Sequence, residues 1–269
     1  MSKTKLIAEE SSSKIQLTNE LVMALFIDAD NISHTLMEQI HEEATKYGSV
    51  AMKRIYGDWN SPGMQGWREK IKDHALTPCQ VFSNRKGKNA TDSALIIDTM
   101  DVLHDGIIEG FCIVSNDSDF TRLAMTIKEH GKFVLGIGSK DSHASFRNAC
   151  NVYVSTQNID PESQDADKEK KESATSGKSS SERTSQKKMD AQLKEIRELL
   201  MKAYDIAEEN NLTVNLSLLT STILKLNPEF DSRTYGKKKM IELIEQQSDL
   251  FKIERRNDQT IMIIRIGEQ

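Results

Sequence analysis

The chain is poor in the features that mark secreted, membrane-spanning and disulfide-bonded proteins. No apolar run approaches the roughly 18 residues that a membrane helix needs, and the opening MSKTKLIAEESSSK lacks the apolar centre of a secretory signal. The three cysteines, Cys79, Cys112 and Cys150, are far apart and form no Cys-x-x-Cys or Cys-His cluster. Neither a disulfide framework nor a zinc site is therefore indicated. These absences predict a cytoplasmic protein with no membrane partner.

Positive charge is not in excess either. The formal net charge is -5, which argues against a surface that is basic throughout but leaves room for a local basic patch. A length of 269 residues fits one domain of ordinary size plus a smaller one.

A polar segment divides the chain. Residues 158–189 contain almost no apolar residue and are dense in Ser, Lys, Glu and Asp. Such a segment cannot bury enough surface to offset the entropy of ordering, so we predict a disordered linker there and a flexible tail at 1–17. The predicted domains are 18–157 and 190–267.

Within 18–157, apolar runs typical of strands alternate with helical patterns. Strands are predicted at Val22–Ile27, Val50–Tyr56, Pro78–Phe82, Phe111–Ser115, Phe133–Ile137 and Val152–Ser155. Helices are predicted at Ser33–Tyr47, around Trp67–Ala75, at Ser93–Leu103 and from Phe120 to Gly131. The alternation predicts an α/β fold with a parallel sheet covered by helices on both faces.

The pattern changes in 190–267. Three amphipathic helices are predicted at Leu193–Ala207, Leu216–Leu226 and Tyr235–Gln247, followed by a hairpin of Phe251–Arg256 and Thr260–Ile266. This order predicts a small winged helix-turn-helix domain, a fold that most often binds nucleic acid or protein.

Aspartates from separate strand-to-helix junctions point to one edge of the predicted sheet. Asp28 ends the first strand, Asp117 and Asp119 follow the strand at Phe111, and Asp92 lies in the first turn of a helix. In open parallel sheets, ligands bind at the carboxyl ends of the strands. Taken singly, Asp92 and Asp119 could instead be helix caps, as could Asp30.

Taken together, these carboxylates favour a metal site. Like charges ~4 Å apart repel by roughly 4 kcal/mol at an effective dielectric constant of 20, and a divalent cation reverses that sign. Oxygen ligands without His or Cys suit Mg²⁺ or Mn²⁺, whose usual task is phosphoryl chemistry. Asp98 is almost two helical turns from Asp92, too far to share an ion with it.

Other polar residues flank this edge. Lys88 and Asn89 either approach a phosphate or belong to a solvated loop, and Ser115 and Asn116 orient the turn or a metal-bound water. The stretch Gly136–Ser139 lacks Walker spacing and is interpreted as a plain strand-to-helix turn.

The first domain resembles the NYN domain, a branch of the PIN-like ribonuclease fold. The matching strings are FIDADN (26–31), KRIYGDW (53–59), GKNATDSALIID (87–98) and IVSNDSDF (113–120), and similarity covers nearly all of 18–157. The resemblance implies a PIN-like three-layer parallel sheet and a metal-dependent nuclease acting on RNA. Its acidic positions fall on Asp28, Asp92, Asp117 and Asp119, with Asn31 beside them. Asn116 departs from the family, where Ser or Gly is more frequent.

The second domain resembles the OST-HTH (LOTUS) winged helix. The resemblance rests on Pro228–Asp231 and on Tyr235-Gly236 followed by Lys237, Lys238 and Lys239. It implies binding to RNA or, in some members, docking to a helicase. Independently of the family, Arg233, the three lysines, Lys252, Arg255 and Arg256 could form one basic surface or a solvated helix end.

The sequence therefore predicts a metal-dependent ribonuclease whose acidic site binds the ion and whose RNA contacts include Arg233, Tyr235 and Lys237–Lys239. One alternative is a haloacid-dehalogenase-type phosphatase, since Asp28-Ala29-Asp30-Asn31 follows a strand as its nucleophile motif does, although Ile32 stands where Thr or Val is expected. Another is a non-catalytic RNA adaptor. Many nucleases of this kind need a partner or an oligomer to complete the site, so a homodimer is one further expectation.

Overall fold

The computed structural model describes residues 20–81, 90–160, 181–210, 213–256 and 259–266, of which residues 181–192 and 210 are described by their backbone alone. The first domain holds six strands: β1 Leu21–Asp28, β2 Gly48–Gly57, β3 Thr77–Gln80, β4 Gly110–Val114, β5 Phe133–Gly138 and β6 Val152–Ser155. Its α-helices are α1 Met37–Thr45, α2 Gln65–Asp73, α3 Ala90–Asp105, α4 Thr121–Glu129, α5 Ala144–Ala149 and α6 Thr156–Ile159. Every strand predicted in this domain is found, within a few residues of its expected bounds.

The six strands form one parallel sheet in the order β3-β2-β1-β4-β5-β6. Strands β1 and β4 lie side by side at the centre, with Ile27 opposite Val114. Chain order reverses between these two strands, so the helices that follow them leave on opposite faces and open a crevice at the carboxyl edge.

Both faces of the sheet are covered, as the continuous apolar runs predict. Along β1, Met23, Leu25 and Ile27 point into one core while Ala24 and Phe26 point into the other. Helices α1 and α2 cover the first face, and α3, α4 and α5 cover the second. The result is the predicted three-layer α/β/α domain, in which β1 is buried on both faces from Met23 onward.

The second domain contains α7 Ser181–Asn210, α8 Leu216–Leu226 and α9 Met240–Glu245, with a two-stranded antiparallel sheet of β7 Phe251–Arg255 and β8 Ile261–Arg265. The helix predicted at Tyr235–Gln247 is present but shorter, and its predicted start is wrong. A 3-10 helix, Ser232–Tyr235, ends at Gly236, whose φ of 73° is left-handed, and α9 begins only at Met240. A glycine in that conformation terminates a helix.

The linker predicted at 158–189 also differs from the structure at both ends. Helix α6 extends to Ile159, and α7 already begins at Ser181, whereas residues 161–180 lie outside the described residues. Polar residues such as Glu, Arg, Gln and Lys have good helix propensity, so they can extend a helix outward from its packed part. The low apolar content therefore predicted a start for the second domain, residue 190, that lies C-terminal to the observed start of α7 at Ser181.

The two domains are in contact instead of being held only by a tether. Leu224 of α8 packs against the first-domain core, and the backbone N–H of Tyr153 in β6 donates to the carbonyl of Pro228 at 2.7 Å. Arg233 crosses between the domains to Glu43 of α1 at 2.9 Å. In the described part of the chain, no helix has the length and apolar character needed to span a bilayer.

Candidate metal centre

Asp28 is the buried member of the acidic group. Its side chain has no exposed surface at the end of β1, where its Oδ2 accepts hydrogen bonds from Asn31 Nδ2 at 2.6 Å and from Ser115 Oγ at 2.7 Å. The backbone N–H of Asp30 donates to its Oδ1 at 3.3 Å. Both Asn31 and Ser115 therefore hold the orientation of this carboxylate, which makes them supporting residues of the centre.

Three further carboxylates converge beside Asp28. Asp92, in the first turn of α3, meets Asp117 and Asp119 from the turn after β4, with one oxygen of each within 4.8 Å of the others. Asp92 and Asp117 are half-buried and Asp119 is exposed. These three clustered carboxylates come from two strand-to-helix junctions, and Asp28, which the sequence adds from a third, is not among the oxygens that lie within 4.8 Å of one another.

The turn after β4 is built to present these side chains. Asp117 caps the 3-10 helix Ser118–Phe120, accepting from the N–H of Asp119 at 2.9 Å, while the N–H of Asp117 donates to Ser115 Oγ at 3.1 Å. Asn116 bridges two loops, because its Nδ2 donates to the carbonyl of Asn31 at 2.8 Å and its Oδ1 accepts from the N–H of Ser139 at 2.6 Å. Asp117 therefore both caps the 3-10 helix and contributes a carboxylate to the acidic group.

The carboxylates disfavour each other's charge. Burial, followed by the negative charges of Asp28, Asp117 and Asp119, raises the pKa of Asp92 to about 6 from an ordinary 3.8. Burial also raises the pKa of Asp28, although the hydrogen bonds from Asn31 and Ser115 oppose that shift. A group whose charged form is disfavoured in this way is stabilised by a cation placed among its oxygens.

This repulsion predicts a pH effect on the protein in the absence of divalent ions. Because the folded pKa of Asp92, about 6, lies above the ordinary 3.8, the folded protein holds a proton that the unfolded chain has released. Protonated Asp92 therefore does not destabilise the folded protein at low pH, whereas its ionisation lowers the stability as pH rises from 3.8 through about 6. We expect Asp92→Asn to stabilise the metal-free protein more at about pH 7 than at about pH 4. Thermal unfolding in the presence of a chelator measures the difference, and an equal effect at both pH values would contradict the mutual repulsion.

Several residues that the sequence places near this edge have other partners or lie elsewhere. Lys88 and Asn89 lie outside the described residues. Asp98 is bound to Arg54 at 3.2 Å and to the hydroxyl of Tyr56 at 3.0 Å, consistent with its exclusion from the cluster. Asp30 does not cap the first helix. Ser33 caps the 3-10 helix His34–Leu36 that precedes α1, and Asp30 instead accepts from Thr91 Oγ1 at 2.8 Å.

The basic set predicted in the second domain is divided. Arg233 pairs with Asp231 at 2.7 Å and with Glu43 of the first domain at 2.9 Å, and Tyr235 is half-buried with its ring stacked on Phe230. Burial would lower the pKa of Arg233, but the hydrogen bonds that it donates to Asp231 and Glu43 raise the pKa above its ordinary value. Its positive charge is thus neutralised within the protein.

The three lysines have a different setting. Lys238 and Lys239 are exposed and Lys237 is half-buried, in the segment between Gly236 and α9. Lys252, which the sequence groups with them, pairs with Glu254 at 2.8 Å. The lysine triplet therefore remains on the surface, as do the exposed Arg255 and Arg256 of the predicted basic set.

Sequence reasoning missed Tyr153 and Ser139, which support the same edge from the far strand. The hydroxyl of Tyr153 donates to the carbonyl of Ser139 at 2.8 Å, and Ser139 in turn binds Asn116. A signal was present in the glycines of β5. A Cβ on Gly138 would lie 2.6 Å from the Tyr153 hydroxyl and 2.4 Å from the carbonyl of Ser115. Two of the four residues Gly136–Ser139 are glycine for packing reasons and not to cradle a phosphate.

The donor set fits a hard divalent cation. All candidate ligands are carboxylate oxygens, burial and the charge of its neighbours raise the pKa of one of them, Asp92, and backbone and side-chain donors already fix Asp28 and Asp117. Mg²⁺ and Mn²⁺ prefer such oxygen ligands, and they commonly keep several waters when few carboxylates bind them.

Comparison with known proteins agrees with this geometry. The NYN domain model matches residues 22–160 and the OST-HTH/LOTUS domain model matches residues 187–263. No curated protein matches the chain. A crystal structure of a protein of unknown function from Vibrio parahaemolyticus is 19% identical, covering 55% of this chain and 98% of that chain with a TM-score of 0.44, which carries no argument about function. The chain belongs to the NYN family of PIN-like nuclease domains, and an OST-HTH/LOTUS domain follows its NYN domain.

Proposed function

We propose that the protein is a metal-dependent ribonuclease that hydrolyses phosphodiester bonds in RNA, acting as an endonuclease. The observation that carries the proposal is the convergence of Asp92, Asp117 and Asp119 beside buried Asp28, at the carboxyl edge where the order of strands reverses. Membership of the NYN family makes nuclease chemistry the first expectation for such a cluster.

Asp92, Asp117 and Asp119 would hold Mg²⁺ or Mn²⁺, with Asp28 alongside them. A divalent ion bound there supplies Lewis acidity, which activates water as a nucleophile and offsets the charge that develops on phosphate oxygens. Asn31 and Ser115 fix the rotamer of Asp28, and Asn116 fixes the loop that carries Asn31. The hydrogen bonds around the acidic group thus hold its carboxylates in place before substrate binds. Such preorganisation favours catalysis.

RNA is the partner that the second domain supports, because OST-HTH/LOTUS domains bind RNA. The acidic edge repels phosphate until a cation is bound, so a separate basic surface helps to capture the substrate. Lys237, Lys238 and Lys239 are the residues we propose for that contact, and Arg233 is left out because it is paired with Glu43 and Asp231.

The direct test is incubation of the purified protein with single- and double-stranded RNA carrying a label at one end, with Mg²⁺, with Mn²⁺ or with a chelator. We expect internal cleavage that requires the divalent ion. Shortening from one end only would show exonuclease action, and RNA that stays intact under all conditions while still binding would favour the adaptor reading.

Replacing Lys237, Lys238 and Lys239 together by Ala is expected to weaken RNA binding. Each lost phosphate contact should also reduce the log–log dependence of affinity on salt by roughly 0.7 to 0.9. Titration of labelled RNA at several salt concentrations measures both effects. Alanine at Lys194, Lys202 and Lys225, in the same domain, removes the same charge and is the matched control. Unchanged affinity and salt slope in the Lys237–Lys239 variant would favour a protein-docking role for the domain.

The phosphatase alternative requires Asp28 to act as a nucleophile. It would form an aspartyl-phosphate on Asp28, whereas the proposed nuclease forms no covalent intermediate with the protein. Asp28 has no exposed surface and accepts two side-chain hydrogen bonds on Oδ2, which favours a supporting role over a nucleophilic one. Trapping a phosphorylated Asp28 would overturn the ribonuclease proposal.

A further inference from the structure

The outer edge of β6 is where the second domain meets the sheet. On its inner side β6 pairs with β5, and on its outer side the N–H of Tyr153 donates to the carbonyl of Pro228 at 2.7 Å. Around that bond, Arg147 of α5 forms an ion pair with Glu229, and Asn158 donates to Asp231 at 3.1 Å and to Thr234 at 3.0 Å. The segment from Pro228 to Thr234 is therefore bound along one side of the first domain.

The side chain of the same Tyr153 faces the acidic edge. Its hydroxyl donates to the carbonyl of Ser139 at 2.8 Å, and the N–H of Ser139 donates to Asn116 Oδ1 at 2.6 Å. Asn116 Nδ2 donates to the carbonyl of Asn31 at 2.8 Å, and Asn31 Nδ2 donates to Asp28 at 2.6 Å. A single run of hydrogen bonds therefore leads from the docked second domain to the buried carboxylate.

Strand β5 is shaped around this tyrosine. A Cβ on Gly136 would lie 2.8 Å from the Tyr153 ring, and one on Gly138 would lie 2.6 Å from its hydroxyl. Tyr153 is 2% exposed, and its ring packs edge-on against that of Phe146, with the ring centres 6.0 Å apart. The two glycines leave space for the Tyr153 ring, and Phe146 packs against that ring. The Tyr153 hydroxyl is therefore held close to the carbonyl of Ser139.

We propose that Tyr153 is a positioning residue that makes docking of the OST-HTH/LOTUS domain a condition for the geometry of the acidic centre. When Pro228 holds β6 and Glu229 holds α5, the Tyr153 hydroxyl holds Ser139, which fixes Asn116 between the loops after β1 and β5. Release of the second domain frees the β6 edge and loosens the support of Asn31 and Asp28. The inference rests on the proposed cation site, and it assigns the second domain a structural role at that site in addition to RNA binding.

Tyr153→Phe tests the proposal because it removes one hydroxyl and keeps the ring. We expect about a 10-fold loss of Mn²⁺ affinity by calorimetry, in the range seen when residues that support metal ligands are changed. RNA cleavage should lose kcat with little change in KM. The matched control is Tyr56→Phe, a buried tyrosine of the same domain whose hydroxyl binds Asp98 outside this run of hydrogen bonds. Equal Mn²⁺ affinities for the two variants would overturn the proposal.

A charge swap tests the docking side. Glu229→Arg places two arginines against each other at a partly exposed contact, and Arg147→Glu in the same chain restores an ion pair with reversed signs. The single variant should bind Mn²⁺ as weakly as Tyr153→Phe, and the double variant should recover. Normal Mn²⁺ affinity in the single variant, or no recovery in the double, would overturn the coupling. A wild-type protein that does not bind Mn²⁺ would instead overturn the proposed function, so the two failures are distinguishable.

Discussion

Asp117→Asn is expected to lower the rate of RNA cleavage by at least about 100-fold, because changes to residues that only support metal ligands already cost about 10- to 100-fold. The fold should survive. Asp117 also caps the 3-10 helix at Ser118 by accepting from the N–H of Asp119 at 2.9 Å, and an asparagine oxygen performs that task equally well. The substitution therefore removes a charge from the cluster while leaving the local hydrogen bond in place.

The same variant should be at least as stable as wild type without divalent ions, since one repelling charge is gone, and it should bind RNA normally. Single-turnover cleavage and calorimetric titration with Mn²⁺ measure the two losses, and thermal unfolding in chelator measures the gain. Asp101→Asn, an exposed position on α3, makes the same chemical change and is the control. Full cleavage by Asp117→Asn, or Mn²⁺ affinity equal to that of the control, would rule out the site.

Arg233→Ala is expected to lower the free energy of unfolding by about 3 kcal/mol, because removal of one partner from a buried ion pair leaves the other charge with less compensation. The Glu43 side chain is only 4% exposed, and Arg233 reaches it from the other domain at 2.9 Å. Lys46 also contacts Glu43, at 2.7 Å, which places the cost at the lower end of the range for such losses. The measurement is denaturant-induced unfolding of the whole chain.

Arg265→Ala supplies the comparison in the same domain. Arg265 meets Asp205 at 2.7 Å, but the two side chains are 41% and 52% exposed. An exposed pair of this kind contributes at most about 1 kcal/mol. If both arginine variants lost similar amounts of stability, the buried ion pair between Arg233 and Glu43 would not stabilise the protein more than an exposed ion pair does.

Much of the candidate centre could be predicted from local sequence because strands and helix starts leave periodic patterns. The apolar run before Asp28 and the one before Asp117 identify two strand ends, and Asp92 falls in the first turn of a helix. A parallel sheet brings such ends to one edge, so three local observations were enough to predict a shared site. The same patterns gave the order of the strands along the chain and the three-layer class of the fold.

Contacts between distant residues leave no such pattern. Glu43 and Arg233 are 190 positions apart, and neither periodicity nor composition indicates that a glutamate on α1 has its partner in another domain. Arg233 was therefore grouped with the lysines by charge alone. Tyr153 was likewise predicted only as part of a strand, because its two roles depend on what lies beside β6 and on the glycines of β5.

The hydrogen bond between Pro228 and β6 protects the outer edge of the sheet against aggregation. The outermost strand of an open sheet can recruit extended chain from a neighbouring molecule, which begins aggregation. Pro228 accepts the N–H of Tyr153, yet a proline has no N–H of its own to offer outward. The residue thus ends the sheet without creating a new place to extend it. Cutting the chain after residue 160 would remove that stop, and we expect the freed NYN fragment to self-associate through β6, which size-exclusion chromatography would detect.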